Sequence, residues 1–435
     1  MKKLFIYFFL FIAFSSFGQS PSAVSAKFIS KVDKIEPELI GWRRDFHQFP
    51  ELSNRETKTG EKIAQLLTSF GIKVQSNVAK TGVVGILKGA LPGPVVALRA
   101  DMDALPLTER NGLPFASKQK SVFQGKETGV MHACGHDGHM AILLGVAKIL
   151  SESKNNLKGT IKFIFQPAEE GPPEGEKGGA ALMIEEGVME NPKVDAVFGL
   201  HIQSLLPVGT LSTKPEGLMA SSDGLSIKVK GLGAHGATPW DSVDPIVVGS
   251  QIVLGLQTIL SRQINLTIAP ATITVGQFNA GVRNNIIPEE AILYGTIRTL
   301  DPEMQKQIHE KIKLTATRIA ESAGATAEVT IDIGYPVTYN NANLTAKMIP
   351  SLQSVVGVEN FKIIPPVMMS EDFSYFQKKA PGLFFFLGAY PADMKLERPP
   401  THHTPDFIVD EKCLPIGVKA LLALTVDYME MNSKK

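Results

Sequence analysis

The hydrophobic positions of the chain fall into short runs that alternate with longer amphipathic segments. Runs of four or five apolar residues occur at 95–98, 161–165, 196–200 and 383–387. Runs of this length are typical of buried strands, and the helical periodicity at segments such as 61–70 and 141–150 predicts helices between them. The pattern predicts an α/β fold whose first domain contains a buried, mostly parallel sheet.

The pattern changes between about residue 223 and residue 334. Apolar runs predict strands at 225–230, 272–278, 291–299 and 327–333, and helical periodicity predicts helices at 245–262 and 302–322. This β-α-β-β-α-β order is that of a ferredoxin-like α+β unit. Strand and helix signals resume afterwards, and a last helix is expected at 411–431. We therefore expect residues 223–334, called the insert below, to interrupt a first domain made of residues 27–222 and 335–432.

The N-terminus carries a pattern of its own. Lys2 and Lys3 precede an unbroken apolar run at 4–14, and small residues follow up to Gly18. This arrangement is typical of a signal peptide, and the run is too short for an ordinary spanning helix. We expect residues 1–18 to be a signal peptide that is cleaved after Gly18. The mature protein would then be exported, periplasmic or secreted, and not attached to a membrane.

Composition narrows the classes of function. The 435 residues include 44 Lys plus Arg and 43 Asp plus Glu. The chain therefore has no large excess of positive charge that would attract nucleic acid or an anionic membrane. With 44% hydrophobic residues the chain is too apolar to be disordered. Its two cysteines, Cys134 and Cys413, are too few for a disulfide framework. We expect a small-molecule enzyme in which Cys413 is a small buried hydrophobe of the last helix.

Polar residues follow the predicted strands of the first domain. Asp101 and Asp103 follow the first run, Glu169 and Glu170 follow the second, and His201 follows the third. In a parallel sheet, ligands bind outside the carboxyl ends of the strands, so these residues are candidates for one site. Other candidate ligands are grouped in two segments: His132, Cys134, His136, Asp137 and His139 precede a helix, and His402 and His403 follow the fourth run.

The mixture of side chains indicates the kind of site. Imidazole, carboxylate and thiolate together suit zinc, manganese, cobalt or nickel, whereas calcium or magnesium would call for oxygen ligands alone. Metal binding would also explain Cys134 in an exported chain, because a metal-bound thiolate is held and is not free to oxidise. Adjacent Glu169 and Glu170 fit a division of labour in hydrolysis. One carboxylate would ligate the metal while the other transfers a proton from water to the leaving group.

At these residues the chain resembles the metallo-amidohydrolases that include aminoacylase, hippurate hydrolase and the indole-acetyl-amino-acid hydrolases, with carboxypeptidase G as a more distant relative. The resemblance runs through nearly the whole mature chain. It rests on Trp-Arg-Arg-Asp-Phe-His-Gln-Phe-Pro-Glu-Leu (42–52), Arg-Ala-Asp-Met-Asp-Ala-Leu-Pro (99–106), His-Ala-Cys-Gly-His-Asp-Gly-His (132–139), Pro-Ala-Glu-Glu (167–170), Gly-Leu-His (199–201), Lys-Gly-Leu-Gly-Ala-His-Gly-Ala (230–237), Asn-Ile-Ile-Pro (285–288), Gly-Thr-Ile-Arg (295–298), Ser-Glu-Asp-Phe (370–373) and His-Thr-Pro (403–405).

The resemblance implies a site for two divalent transition-metal ions, of manganese, zinc, cobalt or nickel. The ligands that it implies are Cys134, His136, Glu170, His201 and His403. His403 is preferred over His402 because the family pattern reads His, one small residue, then Pro. His139, His132 and His47 are interpreted as structural or supporting residues, since further imidazoles would overfill the site.

The resemblance also implies roles for residues that bind no metal. Glu169 looks like the general base, and Asp103 like the acid that orients the site. The insert is similar to the family's lid, which also forms a homodimer, and His235 looks like the residue that reaches a neighbouring subunit's site to stabilise the oxyanion. Asn285 and Arg298 are candidates for binding the substrate, although either could instead hold the strands of the insert together.

We therefore predict an exported, metal-dependent amidohydrolase that cleaves N-acyl amino acids to a carboxylic acid and an amino acid. A metallo-dipeptidase or aminopeptidase is the first alternative, distinguished by a free amine on its substrate. A non-catalytic metal-binding protein is the second, but it would have no need of Glu169 or His235. The glycine pattern at 231–236 fits a dinucleotide-binding loop, yet the next predicted helix begins too late for that motif.

Overall fold

The structure is a computed structural model that describes residues 22–391 and 400–433. The predicted signal peptide, residues 1–18, lies outside the described residues. The α-helices are α1 (Ala23–Ile29), α2 (Glu36–Gln48), α3 (Thr57–Ser69), α4 (His136–Ser151), α5 (Gly179–Glu185), α6 (Pro245–Thr258), α7 (Pro302–Ser322), α8 (Ala342–Val356), α9 (Ser374–Gln377) and α10 (Cys413–Asn432). No helix within the described ranges combines the length and hydropathy that a membrane span requires.

The strands, in chain order, form one large sheet, one four-stranded sheet and three short pairs. They are β1 (Lys73–Val78), β2 (Gly82–Lys88), β3 (Leu91–Asp101), β4 (Lys120–Phe123), β5 (Lys126–Gly129), β6 (Lys158–Gln166), β7 (Ala196–Pro207), β8 (Leu211–Thr213), β9 (Glu216–Met219), β10 (Ser222–Lys230), β11 (Ala234–His235), β12 (Ala271–Ala280), β13 (Ile286–Ile287), β14 (Glu290–Thr299), β15 (Thr326–Tyr335), β16 (Thr338–Asn340), β17 (Phe361–Ile363) and β18 (Gly382–Tyr390).

The large sheet has eight strands in the order β1-β2-β6-β3-β7-β18-β8-β17. Its four neighbouring strands β6, β3, β7 and β18 are parallel, but β1, β2 and β6 pair antiparallel, and so do β18 and β8. The sheet is therefore mixed, and the prediction of a mostly parallel sheet describes only its centre. The physical reason is the three-residue connection at 79–81, which can join antiparallel neighbours but is too short for a parallel crossover.

Both faces of the large sheet are covered, which explains why its strands read as continuous apolar runs. In β6, Phe163 and Phe165 pack into the core under α2, α4 and α10, whereas Ile164 points into a second core on the opposite face. That second core includes Met183 of α5 and Phe376 of α9. Helix α4 is buried on almost every side because α2 and α10 flank it above the sheet.

The predicted elements of the insert are all present, in the predicted order. Strands β10, β12, β14 and β15 form an antiparallel sheet in the order β12-β14-β10-β15, with α6 and α7 packed on one face. Leu225, Ile227 and Val229 alternate along β10 toward this core, which is separate from the cores of the large sheet. Helices α6 and α7 both begin with Asp followed by Pro, because the Asp side chain caps free N–H groups and Pro fits the first helical position.

Candidate metal centre

Several elements bring polar side chains to one edge of the large sheet. Strand β3 ends at Asp101, and β6 ends three residues before Glu169. Strand β7 runs longer than predicted, so His201 lies within the strand and not after it. The chain that follows β18 returns with His403, whose main-chain N–H donates to the carbonyl of Ala133 at 2.9 Å. The predicted strand-end clusters therefore meet in space.

Two glycines allow helix α4 to begin against strand β7. Gly135 has a φ of 95°, a left-handed conformation that favours glycine, and a Cβ there would lie 3.1 Å from the Ile202 side chain. A Cβ on Gly138 would lie 2.5 Å from the same side chain. Cys134 and His136 flank Gly135, and His201 precedes Ile202. The close approach of helix and strand therefore places Cys134 and His136 beside His201.

The five residues predicted as metal ligands lie together. Sγ of Cys134 is 3.4 Å from Nε2 of His201 and 3.3 Å from Nε2 of His403. Oε1 of Glu170 is 3.2 Å from Nε2 of His403 and 3.9 Å from Nε2 of His136. Cys134, His136 and His201 have ligand atoms within 4.8 Å of one another, and so do Cys134, Glu170 and His403. Two groups of three donors thus share the sulfur of Cys134.

Buried atoms without hydrogen-bond partners point into this cluster. Nε2 of His136 and Oε1 of Glu170 are both buried, and neither has a hydrogen-bond partner. An unpaired buried polar atom costs about 1–3 kcal/mol, so such atoms call for an explanation. Burial, followed by the charges of Glu170 and Glu169, raises the pKa of the Cys134 thiol well above its usual range. A divalent cation would satisfy the unpaired atoms and favour the thiolate, so the donor set fits transition-metal binding.

Two of the candidate ligand histidines are held in the same way. Nδ1 of His136 donates to the main-chain oxygen of Asp103 at 2.8 Å, and Nδ1 of His201 donates to the main-chain oxygen of Ile202 at 2.6 Å. A proton fixed on Nδ1 leaves Nε2 with its lone pair free. Metal-ligating histidines usually have such a partner on the opposite ring nitrogen.

Asp103 holds the turn that carries both glutamates. Its carboxylate accepts from the main-chain N–H of Glu169 and that of Glu170, each at 3.0 Å, and from Oγ of Ser53 at 2.7 Å. The turn is tight, since Ala168 has a positive φ of 52°. Asp103 therefore fixes where the two glutamate side chains leave the backbone, which agrees with the orienting role that the resemblance implies.

The side chain of Glu169 lies next to the same cluster and close to other carboxylates. Its Oε2 is 3.9 Å from Nε2 of His136, and its side chain is buried. Burial, Glu371 and Glu170 raise its pKa well above the usual range for a carboxyl. The hydroxyl of Tyr335 donates to its main-chain oxygen at 2.6 Å. Glu169 is thus a fixed carboxyl group with a high proton affinity at the rim of the candidate metal centre.

A buried arginine, Arg99, which was not predicted to take part in the site, joins several carboxylates near Glu169. Arg99 contacts Oδ2 of Asp101 at 2.7 Å, Oε1 of Glu371 at 2.8 Å and Oδ1 of Asp372 at 2.9 Å. Its Nε donates to Gln166 at 2.8 Å. An arginine inside an apolar strand predicts buried carboxylate partners, because a charge is rarely buried unpaired. That signal could have linked residue 99 to the Ser-Glu-Asp-Phe motif.

The remaining histidines are held by other contacts. His139 donates from Nδ1 to Asp101 at 2.6 Å and accepts at Nε2 from the main-chain N–H of Ile202 at 2.8 Å. His402 contacts the Ile202 carbonyl at 2.8 Å, and burial lowers its pKa to about 4. His47 lies between Asp137 and Glu109, and His132 is buried without a hydrogen bond. None of the four belongs to the two donor groups that share Cys134.

The candidate metal centre opens into a cavity of about 690 Å³. Arg298 of the insert lines this cavity and donates to Oγ of Ser370 at 2.9 Å. Burial lowers its pKa, and no carboxylate in the described ranges forms a salt bridge with it. The apolar part of the wall includes Met219, Met368 and Phe386. A charged donor and an apolar wall therefore share one space with the ligand cluster.

His235 and Asn285 lie elsewhere. Both line a separate depression on the insert, and His235 is exposed, with its Nδ1 accepting from the N–H of Ala237 at 3.0 Å. Neither residue lines the cavity that contains Cys134 and Arg298. Within one chain, the structure thus brings Arg298 to the candidate metal centre and leaves His235 and Asn285 apart from it.

Known proteins resemble the chain over most of its length. A family model described as peptidase family M20/M25/M40 matches residues 97–427. An N-acyl-L-amino acid amidohydrolase of Geobacillus stearothermophilus is 42% identical over 309 residues, 71% of this chain and 80% of that protein. Thermostable carboxypeptidase 1 of Saccharolobus solfataricus is 41% identical over 407 residues, 92% of this chain and 98% of that protein.

Solved structures agree with this assignment. The crystal structure of a dinuclear metal-binding peptidase of the M20 family from Bacillus subtilis is 34% identical, has a TM-score of 0.76, and is matched over 92% of this chain and 99% of that chain. The resemblance to hydrolytic relatives excludes the non-catalytic alternative. The chain belongs to peptidase family M20/M25/M40 and is a metal-dependent hydrolase that acts on amide bonds.

Proposed function

We propose that the protein is an exported amidohydrolase that cleaves N-acyl amino acids, such as hippurate-like or indole-acetyl-amino-acid-like amides, to a carboxylic acid and an amino acid. The observation that carries this proposal is the shared cavity. Four of the five candidate ligands line it, with the buried His136 behind them, together with the carboxyl group of Glu169 and the half-buried guanidinium of Arg298. An amide bond beside a metal centre and a carboxylate beside an arginine are the two features of such a substrate.

Five residues would hold two divalent ions of manganese, zinc, cobalt or nickel: Cys134, His136, Glu170, His201 and His403. When bound, such ions polarise a carbonyl and lower the pKa of water. Glu169 stands beside the ligands without being needed as one, so its carboxylate takes a proton from the attacking water. It then returns that proton to the nitrogen of the departing amino acid. Asp103 contributes by fixing the turn that aims the carboxyl group of Glu169.

Arg298 would bind the α-carboxylate of the substrate. A guanidinium forms two parallel hydrogen bonds with a carboxylate, and its only described side-chain partner, Ser370, leaves other N–H groups available. One cavity is lined both by the ligand cluster and by Arg298, so a single substrate can contact both. Arg298 would therefore fix the amino-acid half of the substrate while the amide lies against the metal centre.

His235 and Asn285 would act on a neighbouring subunit. Both lie on the exposed surface of the insert, outside the cavity of their own chain. Helix α6, which also belongs to the insert, exposes Val247 and Leu254, and large exposed apolar side chains favour a protein interface. We therefore propose a homodimer formed through the insert, in which His235 of the partner subunit stabilises the oxyanion and Asn285 helps to hold substrate. A monomeric mass in solution would contradict the dimer.

The first alternative, a peptidase that acts on an unblocked peptide, keeps one supporting observation. A relative of the same family is named a carboxypeptidase, and both substrate types present a terminal carboxylate to an arginine. They differ at the other end, where a free amine needs an anionic partner. Three carboxylates line the cavity: Glu169 is the proposed general base, Glu170 is a candidate ligand, and Glu371 is paired with Arg99. This arrangement favours an acylated nitrogen.

The experiment is a matched pair of substrates with one scissile bond. N-acetyl-methionine and alanyl-methionine both release methionine, which can be quantified by mass spectrometry. The proposal predicts a higher kcat/KM for the acetylated compound. Faster cleavage of the free dipeptide would support the peptidase instead. Export has its own test, since intact-mass analysis of protein made in the natural host should find cleavage after Gly18, and a chain that still begins at Met1 would contradict it.

A further inference from the structure

A second cavity adjoins the candidate metal centre on the other side of Glu170. It has a volume of about 530 Å³, and Glu170 lines both this cavity and the one that contains Arg298. The remaining walls of the two cavities are different residues. A substrate whose amide lies at Glu170 therefore has two separate spaces beside it, one lined by Arg298 and one not.

The hairpin of β4 and β5 forms the outer wall of this second cavity, called the hairpin cavity below. Gln124 and Gly125 connect the two strands, with φ values of 49° and 75°. Two consecutive residues with positive φ make a tight two-residue turn. Val122 and Phe123 precede this turn, line the hairpin cavity and are 68% and 40% exposed. Two apolar side chains thus stand at the mouth of a space that leads to the candidate metal centre.

The inner walls of the hairpin cavity are also apolar. Leu52 and Leu105 form its floor, and the loop that follows Glu170 contributes Pro172 and Pro173. Leu52 and Leu105 are anchored by bridges to Ala104 and Met131, respectively, so the floor belongs to the ordered core of the fold. A preformed apolar space next to a reactive centre favours an apolar ligand group.

Among the described residues that line the hairpin cavity, no cationic side chain is free of a salt bridge and available to bind a carboxylate. The only cationic residue among them is Arg55, which is paired with Glu176 at 2.5 Å. Ser53 is likewise committed to Asp103. In the other cavity, Arg298 has no carboxylate partner within the described residues. The charged end of an N-acyl amino acid therefore fits the side of Arg298, and the uncharged acyl end fits the hairpin cavity.

We propose that the hairpin cavity is the acyl subsite and that it takes bulky apolar acyl groups, of the size of a benzoyl or a medium-length alkanoyl group. This inference rests on the function proposed above. Phe123 and Val122 are then specificity-determining residues, because they contact the acyl group without touching the ligand cluster. Met219, Met368 and Phe386 contact the side chain of the amino acid instead.

The test compares two acyl groups on one amino acid. The holoenzyme and its Phe123→Ala and Val122→Ser variants are assayed with N-benzoyl-methionine and N-acetyl-methionine, and the ratio of the two kcat/KM values is recorded. Removing apolar contacts from a substrate pocket changes such a ratio by about tenfold or more. We expect the benzoyl-to-acetyl ratio to fall in both variants. Leu314→Ala, at an exposed apolar position on α7, is the matched control and should leave the ratio unchanged.

Different failures give different results. If the wild-type enzyme cleaves neither substrate, the proposed function fails. If it cleaves both but the ratio is unchanged in the hairpin variants, the acyl subsite is wrong while the function stands. A fall of the ratio in Met368→Ala in place of the hairpin variants would put the acyl group in the other cavity. A loss of dimer in Phe123→Ala, measured by sedimentation, would mean that the hairpin contacts a second copy and would overturn the proposal.

Discussion

The candidate metal centre and the exposed edge of the insert are built in opposite ways. Around the metal centre, His136 and Glu169 are buried, and Asp103 accepts hydrogen bonds from the imidazole of His136 and from the main-chain N–H of Glu169. On the insert, His235 and Asn285 are exposed, and within the described part of the chain the imidazole of His235 accepts a hydrogen bond only from the main-chain N–H of Ala237. Both sets of residues come from motifs of the same family.

This difference separates two parts of the chemistry. Binding of metal requires ligands at fixed distances, and one chain supplies a set of five, in which Cys134 and His136 are buried and His403 is exposed. Stabilisation of a developing charge requires a donor only once the substrate is in place, and an exposed histidine can reach it from another subunit. We therefore expect metal content to depend on residues of the large sheet alone. Turnover should depend both on those residues and on the exposed edge of the insert.

The largest effect is expected from Glu169→Gln. The substitution keeps the size of the side chain and removes the proton acceptor, so kcat should fall by about 10²–10⁴-fold. Metal content, measured by plasma emission spectrometry, should match the wild type because Glu169 is not among the five candidate ligands. Glu185→Gln, at an exposed position, is the control. Near-normal turnover of Glu169→Gln would remove this residue from its role.

His235→Ala should reduce kcat by about 10²-fold or more while folding and metal content persist, because an oxyanion donor is lost. Mixing this variant with Glu169→Gln, after dissociation and reassembly, should restore about a quarter of wild-type activity, since hybrid dimers contain one intact composite site. Unchanged kinetics of His235→Ala would make the residue structural. A loss of activity that mixing never rescues would place its action within its own chain.

Arg298→Ala should weaken binding of substrates with a free carboxylate. Loss of a charged hydrogen-bond partner corresponds to about 1.5–3 kcal/mol, so KM should rise by about tenfold or more. N-acetyl-methionine amide, which has no carboxylate, serves as the control substrate, and its kcat/KM should hardly change. An equal loss for both substrates would mean that Arg298 holds the insert together through Ser370.

The smallest effect concerns stability and pH at Glu56, beneath the turn at Ala168. Burial, with the charge of Asp103, raises the pKa of Glu56 to about 8. A carboxyl whose folded pKa exceeds its unfolded value, near 4.5, binds more protons in the folded state, so stability falls as pH rises between the two values. Glu56→Gln should therefore be less sensitive to pH in urea unfolding between pH 5 and about 8. An identical pH dependence of variant and wild type would contradict the raised pKa.

The gathering of polar side chains at one edge of the sheet could be predicted because part of it depends on local sequence. Glu169 and Glu170 follow an apolar run, and a polar pair at a strand end is visible without a structure. Helix α7 has the predicted bounds because Asp301 and Pro302 mark its start and the apolar spacing marks its face. The choice of His403 over His402 also agrees with the geometry, since only His403 contacts Cys134 and Glu170.

Other features depend on contacts between distant segments and were not predictable from local pattern. The antiparallel edge of the sheet is set by the tight connection between β1, which is largely exposed, and β2. Two partners of Arg99, Glu371 and Asp372, lie more than 250 residues away from it in the chain. The separation of His235 from Arg298, although both belong to the insert, follows from how the insert folds and from which face each strand presents.

The most direct test of the central claim is metal-dependent hydrolysis. Protein stripped with a chelator is assayed with hippurate, N-acetyl-methionine, indole-acetyl-alanine and an unblocked dipeptide, before and after addition of manganese, zinc, cobalt or nickel. The account predicts that the stripped protein is inactive and that added metal restores cleavage of the acylated compounds, with two ions bound per chain. Full activity of stripped protein, or metal-restored cleavage of the dipeptide alone, would contradict it.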